Sequence, residues 1–406
     1  MSDSRRYFLK KAGLVGLSGS FLAQGCAGLG RKDRIVSDKK LSAETKWKNA
    51  GLSNPNAPGI PEAIGPMDTV LLKDHEPRSS LVTTETVVAE ASFPVIDVHV
   101  HHYPAWARTG QPLRELLRNW LEAMDQVGIE RSVIMTTAVG VQFDVIADFY
   151  LREHADRFQV YCGLDSERID EPGYPARAAS ELERCYEKGA RGVGELTDKG
   201  YGLTRNPELK PSERLHIDDP RLDLFWSKCA ELKIPVNLHL ADHPSAWQPP
   251  DIYQERPPIF QHYNQYGKGG LTHGELLSFL PKLLARHPAT TFITCHLANL
   301  GHDLNQLGRL LHDHPNLYLD ISARDYEIGR QPRSSAKFLT RYSDRVLFGT
   351  DMGMEKEMYQ SWWRLLESED EYIAGRAGWR HYGLGLSDDV LEKLYRTNAL
   401  KILNWS

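Results

Sequence analysis

The amino-acid sequence predicts an α/β fold, a (β/α)8 TIM barrel with an N-terminal arm and a long loop insertion after its fifth strand. Three observations carry that prediction. From residue 93 onward, eight short apolar runs alternate with longer amphipathic segments, which is the pattern of parallel strands joined by helices. Histidine and acidic residues recur at the carboxyl ends of those runs, where a barrel gathers its active site. The first run ends in His99-Val100-His101, at the place where an open, doubly wound sheet would call for a glycine-rich phosphate loop.

The chain has 406 residues, a length that suits one large barrel with an extension. A hydrophobic fraction of 41% supports a substantial core. The net charge of -5 and the lack of a basic stripe argue against a nucleic-acid partner. Ser4-Arg5-Arg6-Tyr7-Phe8-Leu9-Lys10 resembles a twin-arginine export signal. The weakly apolar stretch 12–23 that follows is too short and too rich in Gly and Ser to span a bilayer. Residues 1–28 are therefore expected to be a signal peptide read by the twin-arginine translocation machinery, which would place the protein in the periplasm. Leu22-Ala23-Gln24-Gly25-Cys26 looks like a degenerate lipoprotein box, so a lipid anchor at Cys26 and a freely soluble periplasmic protein both stay open. Cys162, Cys185, Cys229 and Cys295 form no C-x-x-C pair and fall in predicted strands or helices. Buried thiols are expected there rather than disulfides.

Residues 29–92 read as a linker and arm, and 93–406 as the barrel. The stretch 29–73 is rich in Lys, Asn, Pro and Gly, and β-branched residues at 80–88 suggest a small strand or hairpin. Strands are expected at 95–100, 132–136, 159–163, 190–194, 235–239, 291–295, 317–321 and 345–349. The helix expected at 113–127 gathers Leu116, Leu117, Trp120, Leu121 and Met124 on one face. Further helices are expected at 145–154, 176–188, 222–232, 274–285, 305–312, 335–342 and 388–403, the last capped by Ser387. Two connections, 196–217 and 241–272, are too long for simple turns. The second carries Trp247, Tyr253, Phe260, Tyr263 and Tyr266 and reads as a lid or substrate wall, with a contact in a homo-oligomer as the alternative.

Strand alternation places Asp97, His99 and His101 on one face. Two imidazoles so spaced can close on one metal ion, although alone they could equally be polar residues ending a strand. Glu195 follows the fourth strand, His239 ends the fifth, His296 the sixth and Asp351 the eighth. Such a mixed imidazole and carboxylate set suits zinc, manganese, iron or another divalent first-row ion.

Ile96-Asp-Val-His-Val-His101, His239, His296 and Gly349-Thr-Asp351, with Pro220–Leu232, Arg286-His-Pro288 and Asn398-Ala399, resemble the amidohydrolase superfamily, in particular its amidohydrolase 2 branch. That branch includes aminocarboxymuconate-semialdehyde decarboxylase-like enzymes, and the resemblance runs from about residue 93 to 403. It implies a metal held by His99, His101, His239 and Asp351, with His296 as an acid–base residue or second-metal ligand. Glu195 resembles a bridging glutamate of binuclear relatives, so one or two ions are expected, zinc first. Asp351 would orient or deprotonate the bound water. Arg324 could anchor a substrate carboxylate or hydroxyl, and Trp106, after the first strand, is a further candidate for substrate contact. The expected activity is metal-dependent hydrolysis of a C–N, C–O or ester bond in a small molecule. Non-oxidative decarboxylation on the same scaffold is the runner-up, and a non-catalytic metal-bearing binding protein a third reading.

Overall fold

The structure is a computed structural model that describes residues 70–101, 112–352, 355–375 and 378–405. The chain divides into two compact units, residues 1–81 and 82–406. The described part of the first unit holds a single 3-10 turn, Leu72–Asp74. The twin-arginine motif, Cys26 and Trp106 lie outside the described residues.

In the second unit all eight apolar runs form strands: β1 (Val95–His101), β2 (Ile129–Met135), β3 (Phe158–Cys162), β4 (Ala190–Asp198), β5 (Val236–Leu240), β6 (Phe292–Thr294), β7 (Leu317–Asp320) and β8 (Val346–Leu347). They pair in sequence order, every pair parallel. Two backbone hydrogen bonds, Val98 N–H to Phe348 O at 3.0 Å and Asp351 N–H to His99 O at 2.9 Å, bring the last strand back to the first. Ile96, Val98, Val133, Tyr161, Ile293 and Leu347 fill the interior together with Ile402, Leu403 and Trp405 from the C-terminus. Burying this apolar surface plugs the barrel, so it is a packed core and not a pore.

The helices cover the outside: α1 (Leu113–Val127), α2 (Gly140–His154), α3 (Tyr174–Glu187), α4 (Asp223–Glu231), α5 (His273–Leu277), α6 (Phe279–Arg286), α7 (Leu304–Asp313), α8 (Asp325–Arg330), α9 (Pro332–Arg341) and α10 (Lys356–Glu367). In α1 the buried residues Leu117, Trp120, Met124 and Val127 form one stripe, and Gly128, at φ 86°, ends the helix as its N–H donates to Met124 O. The helix expected at 274–285 is two helices. Pro281 has no N–H for the carbonyl of Leu277, and the break falls there. Helix α2 begins at Gly140 because the Glu181 carboxylate accepts its N–H at 2.7 Å and Arg184 donates to its carbonyl at 3.0 Å. Helix α10 was not anticipated, although Tyr359, Trp362, Trp363 and Leu366 repeat at helical spacing and are buried.

The strand or hairpin expected at 80–88 does not form. Its polar groups bond to side chains instead: Thr86 donates twice to the Asp370 carboxylate, each at 2.7 Å, and Arg364 donates to Thr84 O at 3.3 Å. At the C-terminus Ser387 does precede the helix, but its hydroxyl donates to Asp389 at 2.6 Å instead of capping the backbone. The four described cysteines, Cys162, Cys185, Cys229 and Cys295, are free and buried.

One register shift matters for the site. Strict alternation would put Asp97 beside His99 and His101, but the β1–β2 pairing shifts between Asp97 and Val100. This bulge turns Asp97 outward, where it accepts hydrogen bonds from Thr350 Oγ1 at 2.7 Å, Thr350 N at 3.1 Å and the Tyr359 hydroxyl at 3.2 Å. Asp97 thus ties β1 to the start of the loop after β8 and to α10. Burial lifts its carboxyl to about 6 against the pull of those donors. Asp97→Ala, which strands the buried donors of Thr350, Tyr359 and the His99 backbone, should lower unfolding free energy by about 2–4 kcal/mol in chemical denaturation.

Candidate metal centre

Six side chains from the ends of five strands meet in the barrel mouth. His99 Nε2 and His101 Nε2 lie 3.2 Å apart. Asp351 Oδ1 is 3.9 Å from the first and 3.3 Å from the second. Glu195 sits across from them, with Oε1 at 3.7 Å from His99 Nε2 and Oε2 at 3.4 Å from His101 Nε2. The same Oε1 reaches His239 Nδ1 at 2.6 Å and His296 Nε2 at 3.2 Å. Two adjoining donor sets result: His99, His101 and Asp351 in one, Glu195, His239, Cys295 and His296 in the other. His239, expected beside His99 and His101, falls in the second set, and Glu195 joins the two.

Local structure aims these groups. His296 and Asp351 leave β6 and β8 with φ of 58° and 48°, and the left-handed backbone continues from His296 through Asn299. Such conformations cost side-chain-bearing residues roughly 1–3 kcal/mol each and persist where the surroundings impose them. A Cβ on Gly349 would come 2.9 Å from His99 Cβ, which is a physical reason for glycine in Gly349-Thr-Asp351.

The outer ring nitrogens are fixed by partners. His99 Nδ1 donates to Asp320 Oδ2 at 3.0 Å, His239 Nδ1 to Glu195 at 2.6 Å and His296 Nδ1 to Ser322 O at 2.8 Å. Each acceptor places the proton of the neutral ring on Nδ1, so that Nε2 offers a lone pair once a metal displaces any proton of its own. His239 Nε2 is buried with no hydrogen-bond partner among the described residues. Asp320, fully buried, also accepts from Asn237 Nδ2 at 3.3 Å, His296 N at 3.1 Å and Ser322 N at 3.0 Å. The Cys295 thiol contacts Glu195 Oε1 at 3.2 Å, and burial followed by that carboxylate keeps it protonated. Asp320, Ser322 and Cys295 were not read as part of the centre from sequence. For Asp320 and Ser322 the signal was their alternation at the end of the seventh strand.

The centre is built for positive charge. Burial opposes imidazolium at His99 and His101, yet Asp320 at the first, and Asp351 with Glu195 at the second, raise them to about 9 and about 10. Burial likewise opposes ionisation of Asp351 and Glu195, but the imidazoles hold Asp351 at about 2 and Glu195 well below the usual range. Lone-pair donors crowd to 3.2–3.9 Å. A divalent first-row ion bonded at about 2.0–2.2 Å would satisfy donors so spaced. These residues could hold a metal ion.

The centre opens into a cavity of about 1190 Å³. One wall is apolar, with Met135, Ala138, Val141 and Ile146, and the other is cationic and aromatic, with Lys199, Arg256, Phe260, Tyr263 and Arg324. The long segment 241–272 supplies part of that second wall. The His101 and Asp351 side chains, 16% and 21% exposed, mark the edge of the centre facing the cavity. Arg324 lines the cavity too, pinned by Asn299, by Ala323 O at 3.0 Å and by Glu327 at 2.9 Å.

Fold and site together define a barrel enzyme with a histidine–carboxylate metal centre at the carboxyl ends of its strands. The profile of the amidohydrolase family matches residues 96–405, and the chain belongs to that family. Among solved structures it is similar to 2,6-dihydroxybenzoate decarboxylase from Rhizobium, at 18% identity and a TM-score of 0.47, covering 77% of this chain and 99% of that one. A putative amidohydrolase from Staphylococcus aureus matches at 17% identity and a TM-score of 0.49, covering 77% and 100%. A dihydroxybenzoic acid decarboxylase from Polaromonas sp. JS666, solved with manganese and the inhibitor 2-nitroresorcinol, matches at 18% identity and a TM-score of 0.48, covering 77% and 97%.

A pH dependence follows from the charge. In the metal-free protein His99 and His101, raised to about 9 and about 10, are imidazolium at neutral pH. Their contribution to stability is complete below about pH 6.5 and is lost as pH rises through those values. The melting temperature of the metal-free protein should therefore fall between pH 8 and 10, and saturating manganese should remove that fall. Binding near pH 7.5 should release about two protons per ion, measured by calorimetry in buffers of different ionisation enthalpy. Asp320→Asn should weaken metal affinity by about 10–100-fold in chelator competition.

Proposed function

We propose that the protein is a metal-dependent decarboxylase, a lyase acting on a small carboxylic acid at this centre. The observation that carries the reading is Arg324, a buried guanidinium in the wall of the cavity that holds the metal site. Burial works against its charge, but Tyr326, Glu327 and Asp242 keep it cationic. A fixed cation beside the centre suits a substrate that carries a carboxylate.

His99, His101 and Asp351 would hold the ion, and Glu195 with His239 could hold a second. Zinc and manganese both suit this mixed nitrogen and oxygen set. When bound, the metal would supply Lewis acidity, polarising an oxygen of the substrate. The protein's own residues do the rest. Arg324 orients the carboxylate, and the apolar wall at Met135 and Ile146 excludes water from the scissile carbon. As the C–C bond breaks, its electron pair stays on that carbon and carbon dioxide departs. His296, whose Nδ1–H is held by Ser322 O, takes up a proton from solvent at Nε2 and delivers it to the carbon. Hydrolysis remains the second reading, favoured by the partly exposed Asp351 carboxylate, which could take a proton from water.

The Arg5-Arg6 motif supports export to the periplasm within the same proposal. Replacing both arginines by lysine should hold unprocessed protein in the cytoplasm on fractionation, and Cys26→Ser should abolish any membrane-bound fraction.

The deciding assay gives metal-loaded protein a panel of aromatic and enoic acids beside esters, lactones and amides, with metal content measured. One carbon dioxide released per acid consumed is expected; turnover confined to esters, lactones or amides would overturn decarboxylation. His296→Gln should lower kcat by about 10²–10⁴-fold while metal content stays unchanged.

A further inference from the structure

The segment after β5 carries a second charged group that the chemistry above leaves unused. Asp242, 4% exposed, sits where that segment leaves the strand. Its Oδ2 accepts from Lys199 Nζ at 3.1 Å, and its Oδ1 from Arg256 Nη1 at 3.0 Å and from His243 N at 2.9 Å. One carboxylate therefore serves two permanent cations, which leaves a surplus positive charge on the cavity wall. Aromatic faces hold both cations in place: Lys199 Nζ lies 4.6 Å from the Tyr263 ring centre, and the Arg256 guanidinium 4.6 Å from that of Phe260. Lys199, Asp242, Arg256, Phe260 and Tyr263 all line the same cavity as the metal centre.

Arg256 Nε–H is buried and has no hydrogen-bond acceptor among the described residues. A buried cationic donor without an acceptor is costly. The bond to Asp242 uses Nη1 and leaves this donor unfilled. An anionic ligand group would meet both needs, accepting from Arg256 and Lys199 and neutralising the surplus charge.

We infer that Lys199 and Arg256, set against Asp242, form an anion subsite for a second acidic group on the substrate, a carboxylate or phosphate-like group distinct from the one that reacts. The substrate class is then a dianion with an apolar or aromatic body, whose reacting end meets the centre while its other acidic end meets the segment after β5. The cavity, at about 1190 Å³, has room for both ends. The inference rests on the metal-site reading only for the placement of the reacting end.

Calorimetry on manganese-loaded full-length protein tests it with biphenyl-4-carboxylate, biphenyl-4,4′-dicarboxylate and 4′-phosphonobiphenyl-4-carboxylate. At least one dianion should bind about tenfold or more tighter than the monoanion, and which one does so separates carboxylate from phosphate-like recognition. Arg256→Met and Lys199→Met should each erase that advantage while leaving the monoanion within about twofold. Asp242→Asn should move the other way and strengthen dianion binding, because it removes the competing negative charge. A merely structural ion pair would instead make all three variants lose affinity and melting temperature together. Equal affinity for mono- and dianion, an advantage that survives both Met variants, or no binding of any probe would overturn the subsite. Because binding is read without turnover, a panel that releases no carbon dioxide would count against decarboxylation and leave this result standing.

Discussion

The buried Asp320 carboxylate is the interaction on which the mouth of the barrel depends. It has no exposed surface, and it gathers His99, Asn237, His296 and Ser322 from four different stretches of chain. Taking a carboxylate out of water is costly unless its lone pairs are filled, and here donors from the first, fifth and sixth strands and from the turn after the seventh fill them. The same bonds fix which nitrogen of His99 faces the centre and hold the backbone of His296 in its left-handed turn. Positioning of the metal donors and satisfaction of one buried charge are therefore a single arrangement.

The barrel was legible because its strands are short apolar runs at regular intervals, a signal that survives without tertiary information. The site was legible for a similar reason: strand ends in a parallel barrel converge, so His99, His101, Glu195, His239, His296 and Asp351 could be placed in one mouth from position alone. What alternation could not show was the bulge after Asp97, since an extra residue in a strand leaves no mark in composition. Nor could it show that Pro281 divides a helix whose apolar pattern continues through it, or that residues 80–88 bond to side chains of distant sequence. Asp320 and Cys295 escaped because their roles depend on which atoms face them. Helix α10 was different: its aromatic spacing was there to be read.

The cavity separates two kinds of chemistry. Its floor concentrates carboxylates that call for a metal ion or bound protons, a demand set by residues at strand ends, which packing holds nearly rigid. One wall is apolar, while the other carries fixed positive charge stacked on aromatic rings. Arg324 stands between floor and wall, tied to Asn299 beyond β6 and to Glu327 on α8, so a ligand carboxylate would meet a guanidinium that is already oriented. Little reorganisation is left to oppose binding.

The segment 241–272 is attached to the barrel at its rim and contributes none of the six central donors. Internal bonds, Arg256 to Asp242 and Trp247 Nε1 to Leu271 O at 2.8 Å, shape it, and it is held to the rest by Lys199 Nζ to Asp242 at 3.1 Å, the Tyr201 hydroxyl to Lys268 O at 2.9 Å, Leu271 N–H to Gly200 O at 3.3 Å and Trp379 Nε1 to Glu255 O at 3.3 Å. Heritable change in that segment can therefore reshape the cavity wall without disturbing the donors beneath. In this architecture the rim is free to drift while the donor set stays where it is.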